Sequence, residues 1–323
     1  MTGGRGLLGS AVVRELVDRG HSVTVFQRTP AGHDGRVREV LGEIGSASEV
    51  ARAVDGAETV VHLAARVSMV GPWAEFERIN VGGTRVVIDQ AQAAGVRRLV
   101  HISSPSVAHA GEPLVGAAAS KADPEHARGS YARSKAQAEL LALDADRPGF
   151  AVTALRPHLV WGPGDTQLVG RIAERARSGR LVLIDDGSAL IDTTYVDNAA
   201  EAIAQAVERC DLDGVHGRAL VVSNGEPRTV AETLGRIARA AGAPPPTRRV
   251  PFTVARAAGA LIERAWQQAG RADEPPLTAF VAEQLATAHW FDQRLTRSAL
   301  DWVPRIGLDE GFARLAEAFA TES

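Results

Sequence analysis

Met1-Thr2-Gly3-Gly4-Arg5-Gly6-Leu7-Leu8-Gly9 opens the chain and leads directly into an apolar helical pattern over residues 7–19. The spacing Gly3-x-x-Gly6-x-x-Gly9 allows a tight turn, a close approach of the backbone to a pyrophosphate, and close packing of the helix on a sheet. A strand pattern follows at residues 22–27. Glycines also mark ordinary turns, but a glycine-rich turn followed by a helix and a strand indicates a dinucleotide-binding unit whose helix points its N-terminus at the phosphates.

Short runs rich in β-branched residues alternate with helical patterns through the first half of the chain. Strands are predicted at 58–63, 97–103 and 151–155, and helices at 74–94 and about 129–145. This alternation is typical of βαβ units and predicts an α/β fold with a Rossmann-type doubly wound parallel sheet.

The alternation becomes irregular from about residue 157, and a further helix is predicted at 251–268. We therefore divide the chain into a dinucleotide-binding Rossmann domain, residues 1–156, and a smaller C-terminal lobe, residues 157–323. This second part is expected to bind mainly the substrate and to interleave with the Rossmann sheet.

The strand that should precede the glycine-rich turn is missing from the sequence. In a doubly wound sheet that strand lies in the centre, so its loss should leave a gap between two half-sheets with unpaired, aggregation-prone edges. The sequence therefore predicts a truncated first strand. We expect Met1 to be preceded, in a longer form of the protein, by a short and nearly all-apolar strand that ends at Thr2.

Composition excludes several classes of function. With 323 residues, 45% of them hydrophobic, and a net charge of −3, the chain is long enough for a sizeable core and has no basic excess of the kind that binds nucleic acid. The single cysteine, Cys210, excludes an intramolecular disulfide and a cysteine-rich metal site. The nine histidines show no metal-ligand spacing, so no metal is predicted. No signal peptide or membrane-spanning apolar run is visible, and we expect a cytoplasmic protein without an integral membrane segment.

The segment Tyr131-Ala132-Arg133-Ser134-Lys135 contains one of two tyrosines and one of two lysines in the chain. Residues i and i+4 share a helix face, so the Lys135 ammonium can lie close enough to the Tyr131 phenol to favour the phenolate. Arginine would keep the charge but present a wide planar fork. The alternative interpretation is an exposed tyrosine packed on a lysine stem.

Ser103-Ser104-Pro105-Ser106 follows the strand at 97–103, at a carboxyl end where ligands bind in such sheets. A serine hydroxyl there can donate to a carbonyl oxygen while Tyr131 delivers a proton. The alternative is that these serines only form hydrogen bonds within their own loop.

The end of the strand at 22–27 decides between the two dinucleotides. An acidic residue there accepts from the adenosine ribose of NAD, whereas an arginine accommodates the 2′-phosphate of NADP. Here the strand ends Phe26-Gln27-Arg28, and Arg5 lies in the nearby loop. The sequence therefore favours NADP, with NAD possible if both arginines are solvated loop charges.

Asn80-Val81-Gly82-Gly83-Thr84 lies inside the predicted helix 74–94. An asparagine and two glycines lower helix propensity, which indicates a packing or site role for this segment.

An apolar segment, Val67, Met69, Val70, Pro72 and Trp73, follows His62-Leu63-Ala64-Ala65 at a strand end that faces the cleft. A nucleotide-sugar enzyme would need more polar and basic groups there. The sequence thus predicts a small apolar acyl or steroid-like substrate.

An ordered set of motifs resembles the extended short-chain dehydrogenase/reductase family over nearly the whole chain. The motifs are Thr2-Gly3-x-x-Gly6-x-x-Gly9, His62-Leu63-Ala64-Ala65, Asn80-x-x-Gly83-Thr84, Ser104, Tyr131-x-x-x-Lys135, Arg156-Pro157 and Gly162-Pro163-Gly164. The resemblance implies that Ser104, Tyr131 and Lys135 form the catalytic triad. Glu43 stands where the family usually has an adenine-contacting aspartate. The predicted cofactor-binding residues are Gly3, Gly6, Leu7, Leu8, Gly9, Arg28, Glu43, Ile44, Leu63, Ala64, Ala65, Asn80, Tyr131, Lys135 and Pro157.

Later segments resemble the 3β-hydroxysteroid dehydrogenase branch of this family. They are residues 102–107, 154–165, 194–200 and 223–227. Together with Pro276-Leu277-Thr278 and residues 283–291, they are most similar to the 2-alkyl-3-oxoalkanoate reductases of bacterial long-chain olefin biosynthesis.

The resemblance implies NADPH-dependent reduction of the ketone of an apolar 3-oxo acid. It also implies a homodimer and an assembly with other enzymes of the olefin pathway. The alternatives are an NAD-dependent 3β-hydroxysteroid dehydrogenase, a nucleotide-sugar epimerase or dehydratase, and a non-catalytic protein that has kept only the fold.

Overall fold

A computed structural model describes residues 1–33, 35–68, 70–109, 111–271 and 273–321, so that Met69 of the predicted apolar segment lies outside the described residues. The strands are β1 (Val23–Gln27), β2 (Val37–Leu41), β3 (Thr59–His62), β4 (Arg98–Ile102), β5 (Leu114–Ala117), β6 (Ala151–Pro157), β7 (Val160–Trp161), β8 (Leu183–Ile184), β9 (Leu190–Ile191), β10 (Thr194–Tyr195), β11 (Arg218–Val222), β12 (Arg228–Thr229), β13 (Arg249–Val250) and β14 (His289–Phe291). The helices are α1 (Leu7–Asp18), α2 (Ala47–Val54), α3 (Trp73–Phe76), α4 (Gly83–Ala93), α5 (Gly129–Asp144), α6 (Val169–Arg177), α7 (Val196–Arg209), α8 (Val230–Ala240), α9 (Phe252–Gln268), α10 (Ala279–Ala286), α11 (Arg294–Leu300) and α12 (Leu308–Thr321).

Parallel strands form the central sheet in the order β2-β1-β3-β4-β6-β11, with Thr2 between β1 and β3. Strands β3, β4 and β6 are buried almost throughout, because helices cover both faces of the sheet. One apolar core contains residues of α1 and α7, and a second contains residues of α2 and α4. This arrangement confirms the predicted doubly wound α/β fold.

Met1 and Thr2 occupy the central position of the sheet. The Thr2 N–H donates to the Val61 carbonyl (2.9 Å), and the Phe26 N–H donates to the Met1 carbonyl (2.8 Å). The Met1 amino group donates to the Thr24 carbonyl at 2.5 Å, and its burial lowers its pKa to about 5. Met1 and Thr2, which form isolated bridges rather than a full strand, therefore join the half-sheets at their carboxyl edge, where the sequence predicted a gap.

A second, mixed sheet lies in the smaller lobe in the order β12-β9-β14-β5. Strand β14 pairs in parallel with β5, which comes from the first half of the chain, so the two halves interleave. Helix α9 covers the predicted range and packs against α10. No helix in the described ranges is both long enough and apolar enough to cross a bilayer.

Cys210 follows α7 and lies against the central sheet. The residue is fully buried, and its thiol donates to the carbonyl oxygens of Leu99 (3.6 Å) and Ala151 (3.4 Å). Burial raises the pKa of this thiol to about 12. The cysteine thus packs as a small apolar side chain of the core.

Candidate active site

The glycine-rich turn has the shape required for a phosphate-binding loop. Gly3 has φ +79°, and a Cβ there would lie 2.9 Å from the Ala64 nitrogen. A Cβ on Gly9 would lie 2.1 Å from the Gly3 carbonyl oxygen, whereas one on Gly6 would meet nothing within 4 Å. Gly3 and Gly9 are therefore required by packing, and Gly6 faces open space in front of the first turn of α1. That turn includes Leu7 and Leu8 and has N–H groups without intrahelical acceptors, so it suits a pyrophosphate.

The predicted adenosine end of the groove is exposed. Arg28 and Glu43 lie on the surface. Ile44 packs closely against Gly83, since a Cβ added to Gly83 would lie 2.8 Å from the Ile44 side chain. The Arg5 guanidinium donates to the Thr29 hydroxyl at 2.8 Å. Both arginines proposed for the 2′-phosphate thus lie beside the carboxyl end of β1.

The predicted catalytic residues lie together at the carboxyl end of β4. Ser104 follows this strand, and the short 3-10 helix that it begins packs against α5, the helix that contains Tyr131. Lys135 lies one turn beyond Tyr131 on α5, is 4% exposed, and donates from Nζ to the Ile102 carbonyl at 2.5 Å. The Ser104 hydroxyl also lies 3.0 Å from the Ser106 hydroxyl, which holds it at the start of a short 3-10 helix.

Burial shifts the pKa values of Tyr131 and Lys135 in opposite directions. Desolvation raises the pKa of Tyr131 to about 12, and the nearby Ser104 side chain partly opposes this. Desolvation lowers the pKa of Lys135 to about 8, and Glu139 partly opposes this. The phenol is protonated at neutral pH, as a proton donor must be.

Asn80 lies behind the site, in a π-helical turn over Glu77–Gly82 that separates α3 from α4. Its amide donates to the Ser134 hydroxyl (2.8 Å) and to the Arg66 carbonyl (3.2 Å), and its oxygen accepts from the Arg66 N–H (2.6 Å). Both ends of the amide therefore bind protein. Asn80 fastens the loop after β3 to the catalytic helix, and its predicted contact with the cofactor stays a prediction.

A buried ion pair that the sequence analysis missed lies next to Lys135. The Arg156 Nη2 and Nε atoms lie 2.5 and 2.8 Å from the two Glu139 carboxylate oxygens, and both residues are 1% exposed. Glu139 is four residues after Lys135 on α5. An i, i+4 pair of a lysine and a glutamate was the signal that could have identified it.

The remaining predicted cofactor-binding residues, Leu63, Ala64, Ala65 and Pro157, follow neighbouring strands. The Leu63 N–H donates to the Thr2 carbonyl (3.2 Å), and the Ala64 N–H to the Thr2 hydroxyl (3.0 Å), which fixes the loop that also contains Ala65. Pro157 ends β6, the strand beside β4. The structure thus brings these residues to the same sheet edge as Ser104.

Three buried histidines that the sequence did not single out lie close together beyond this edge. The His109 and His289 Nε2 atoms are 3.3 Å apart, and the rings of His158 and His289 are 6.4 Å apart. His158 directly follows Pro157. A histidine immediately beyond a strand of the central sheet was the available signal.

Comparisons with known proteins agree with this geometry. Residues 1–223 match the NAD dependent epimerase/dehydratase family. The chain is 41% identical to a 2-alkyl-3-oxoalkanoate reductase of Stenotrophomonas maltophilia over 99% of this chain and 98% of that protein. It is 36% identical to a 2-alkyl-3-oxoalkanoate reductase of Shewanella oneidensis over 98% of this chain and 84% of that protein.

A solved structure of MoeE5 in complex with UDP-glucose and NAD superimposes with a TM-score of 0.75 at 26% identity, covering 99% of this chain and 98% of that one. These matches agree with the glycine-rich turn and with the positions of Ser104, Tyr131 and Lys135. The chain belongs to the NAD dependent epimerase/dehydratase family and is an NAD(P)-dependent short-chain dehydrogenase/reductase.

Proposed function

We propose that this protein reduces the ketone of a 2-alkyl-3-oxoalkanoate to the corresponding 3-hydroxy acid, with NADPH as the cofactor. The observation that carries the proposal is the meeting of α5, which contains Tyr131 and Lys135, with the carboxyl end of β4 and the 3-10 helix that begins at Ser104. The substrate class is supported by the relative of that name, which aligns along almost the full length of both chains.

When bound, NADPH supplies the hydride that is transferred to the ketone carbon. Tyr131 gives its phenolic proton to the ketone oxygen, and Ser104 donates a hydrogen bond to the same oxygen. Lys135 is mostly charged at pH 7 because its pKa is about 8, and its ammonium offsets the negative charge left on the phenol one helical turn away. Solvent then returns a proton to Tyr131.

The loop after β3 supports an apolar substrate. Val67 is 57% exposed, and Val70 and Trp73 are partly exposed. An alkyl chain that covers these side chains removes apolar surface from water, and that burial favours binding.

The cofactor preference is proposed from Arg28 and Arg5. Both lie beside the end of β1, where a 2′-phosphate would lie, and a guanidinium can bind a phosphate through two parallel hydrogen bonds. Glu39, in the neighbouring strand, is already engaged by the Ala31 and His33 N–H groups at 3.2 and 3.0 Å.

The experiment is a substrate panel with purified protein in the oxidation direction. A synthetic 2-alkyl-3-hydroxyalkanoic acid, a 3β-hydroxysteroid and UDP-glucose are each incubated with NADP or NAD, and formation of the reduced cofactor is recorded. For UDP-glucose the sugar product is also identified, because an epimerase or dehydratase regenerates its oxidised cofactor. We expect turnover of the hydroxy acid with NADP. Turnover of the steroid with NAD alone would establish the steroid alternative, and conversion of UDP-glucose alone would establish a nucleotide-sugar enzyme.

A further inference from the structure

His158 follows β6, the strand next to the one that ends before the catalytic serine. Strands β4 and β6 are parallel neighbours with Ile102 opposite Leu155, and the Ser103 N–H donates to the Leu155 carbonyl at 2.6 Å. This register places Ser104 level with Pro157 and His158 one residue further. Neighbouring strands are about 4.8 Å apart, so His158 and Ser104 lie at the same carboxyl edge of the sheet, one strand apart.

The orientation of the His158 ring is fixed. Its Nδ1 lies 2.6 Å from the Asp192 carbonyl oxygen, and a carbonyl can only accept, so Nδ1 carries the ring proton. The neutral ring therefore has its lone pair on Nε2, for which the described residues provide no hydrogen-bond partner. The next residue, Leu159, has φ +43°, a conformation that L-residues rarely adopt and that often occurs at functional sites.

The groups around the ring keep it neutral in the free protein. The Phe291 ring packs edge-on at 5.0 Å, and burial lowers the pKa values of His158 to about 3 and of His289 to about 4. The Asp192 carboxylate accepts instead from the Ser223 hydroxyl (2.5 Å) and the Gly225 N–H (3.2 Å). The remaining charged groups, Arg128, Glu112 and Glu283, act on His109 at the far end of the histidine cluster.

A 3-oxo acid has one polar group besides its ketone. With the ketone at Ser104 and Tyr131, the carboxyl group is two carbon atoms away and enters the same space. A buried carboxyl group without a hydrogen-bond partner would weaken binding strongly. Nε2 of His158 is a fixed nitrogen at this edge that can share a proton with a carboxyl oxygen.

We propose that His158 receives the carboxyl group of the substrate through one shared proton on Nε2, and that this contact makes the protein selective for free 3-oxo acids over their esters. The inference rests on the proposed function. The substrate enters as the carboxylate, one proton is taken up from solvent, and that proton lies between the carboxyl oxygen and Nε2. No covalent bond forms or breaks.

The test compares a 2-alkyl-3-hydroxyalkanoic acid with its methyl ester as substrates for oxidation. His158→Asn keeps a donor for the Asp192 carbonyl but removes Nε2. We expect it to lower the acid-to-ester ratio of kcat/KM about ten- to hundredfold, the range for a hydrogen bond to a charged group. His21→Asn, at a partly exposed histidine of the turn before β1, should keep the wild-type ratio. An unchanged ratio in His158→Asn would overturn the inference.

A second measurement does not depend on how well that variant folds. Because binding of the acid takes up a proton, the wild-type acid-to-ester ratio should fall as pH rises from 6 to 9, and a constant ratio would contradict the shared proton. His158→Gln places a non-titrating donor near the position of Nε2, so it should keep a preference for the acid that no longer varies with pH.

If wild-type protein turns over neither acid nor ester, the proposed function itself fails; turnover of both at equal efficiency removes only the inference.

Discussion

The two ends of the predicted cofactor groove are built differently. At the hydride end, Lys135, Asn80 and Glu139 are buried, and each has a protein partner within hydrogen-bond distance. At the adenosine end, Arg28 and Glu43 lie on the surface. At the hydride end, therefore, catalytic geometry and stability depend on the same side chains. At the adenosine end, the preference for a cofactor can change without disturbing the core.

The largest effect is expected at the hydride end, from Tyr131→Phe. The ring remains but the proton donor is lost, so kcat should fall about 100- to 10,000-fold. Steady-state kinetics measure the loss, and quenching of NADPH fluorescence should show that the cofactor still binds. A variant that keeps more than half of the wild-type kcat would remove Tyr131 from the proposed mechanism.

The second prediction concerns stability at the same end. Glu139→Ala leaves the Arg156 guanidinium buried without its carboxylate, which should lower the free energy of unfolding by about 3–5 kcal/mol. Urea denaturation measures it. Glu174→Ala breaks an exposed pair with Arg180, in which both side chains are about 70% exposed, and should cost about 0–1 kcal/mol. Equal losses in the two variants would mean that burial does not distinguish these pairs.

At the adenosine end, Arg28→Asp should change cofactor preference and little else. A charge-assisted contact to phosphate is worth about 1.5–3 kcal/mol, so the Kd for NADPH should rise roughly ten- to hundredfold while that for NADH changes much less. Arg52→Asp, the same charge change on the exposed face of α2, is the matched control. Parallel losses for both cofactors, or a wild-type preference for NADH, would show that Arg28 does not bind the 2′-phosphate.

The smallest predicted effect is a pH dependence. The Lys135 ammonium is present below its pKa of about 8 and is lost as pH rises through that value. The charge that offsets the phenolate then disappears, so kcat for reduction should fall by up to about tenfold per pH unit above 8. A pH profile at saturating cofactor measures this. A constant kcat from pH 7 to 10 would mean that the lysine stays charged or does not act.

The elements that the sequence predicted share one physical property. Strands β1, β3, β4 and β6 are buried along most of their length, so apolar and β-branched residues dominate each of them. Strand β2 is partly exposed along its length and mixes charged with apolar residues, and the sequence analysis did not identify it. The predicted helix over 74–94 is divided by the π-helical turn. In this turn the Asn80 amide donates to the Ser134 hydroxyl, a contact that the helical pattern of the sequence does not reveal.

The residues of the candidate site also differ in how far the sequence could predict them. Tyr131 and Lys135 could be predicted because one helical turn contains both of them. His109, His158 and His289 could not, because they come from segments far apart in the chain and meet only when β14 pairs with β5. The spacing also did not indicate that the Lys135 ammonium donates to the Ile102 carbonyl, because that contact depends on how α5 packs against β4.

Cys210 gives the protein a built-in reporter of unfolding. It carries the only thiol in the chain, and this thiol is enclosed between the sheet and α7. Thiol reagents therefore cannot reach it in the folded protein, and its pKa of about 12 keeps the reactive thiolate rare at neutral pH. Modification by such a reagent therefore requires that the packing of α7 on β4 and β6 opens, and the modification rate measures that opening without any introduced label. A cysteine placed elsewhere on the surface can be derivatised selectively, which allows distances across the cofactor groove to be followed in otherwise native protein.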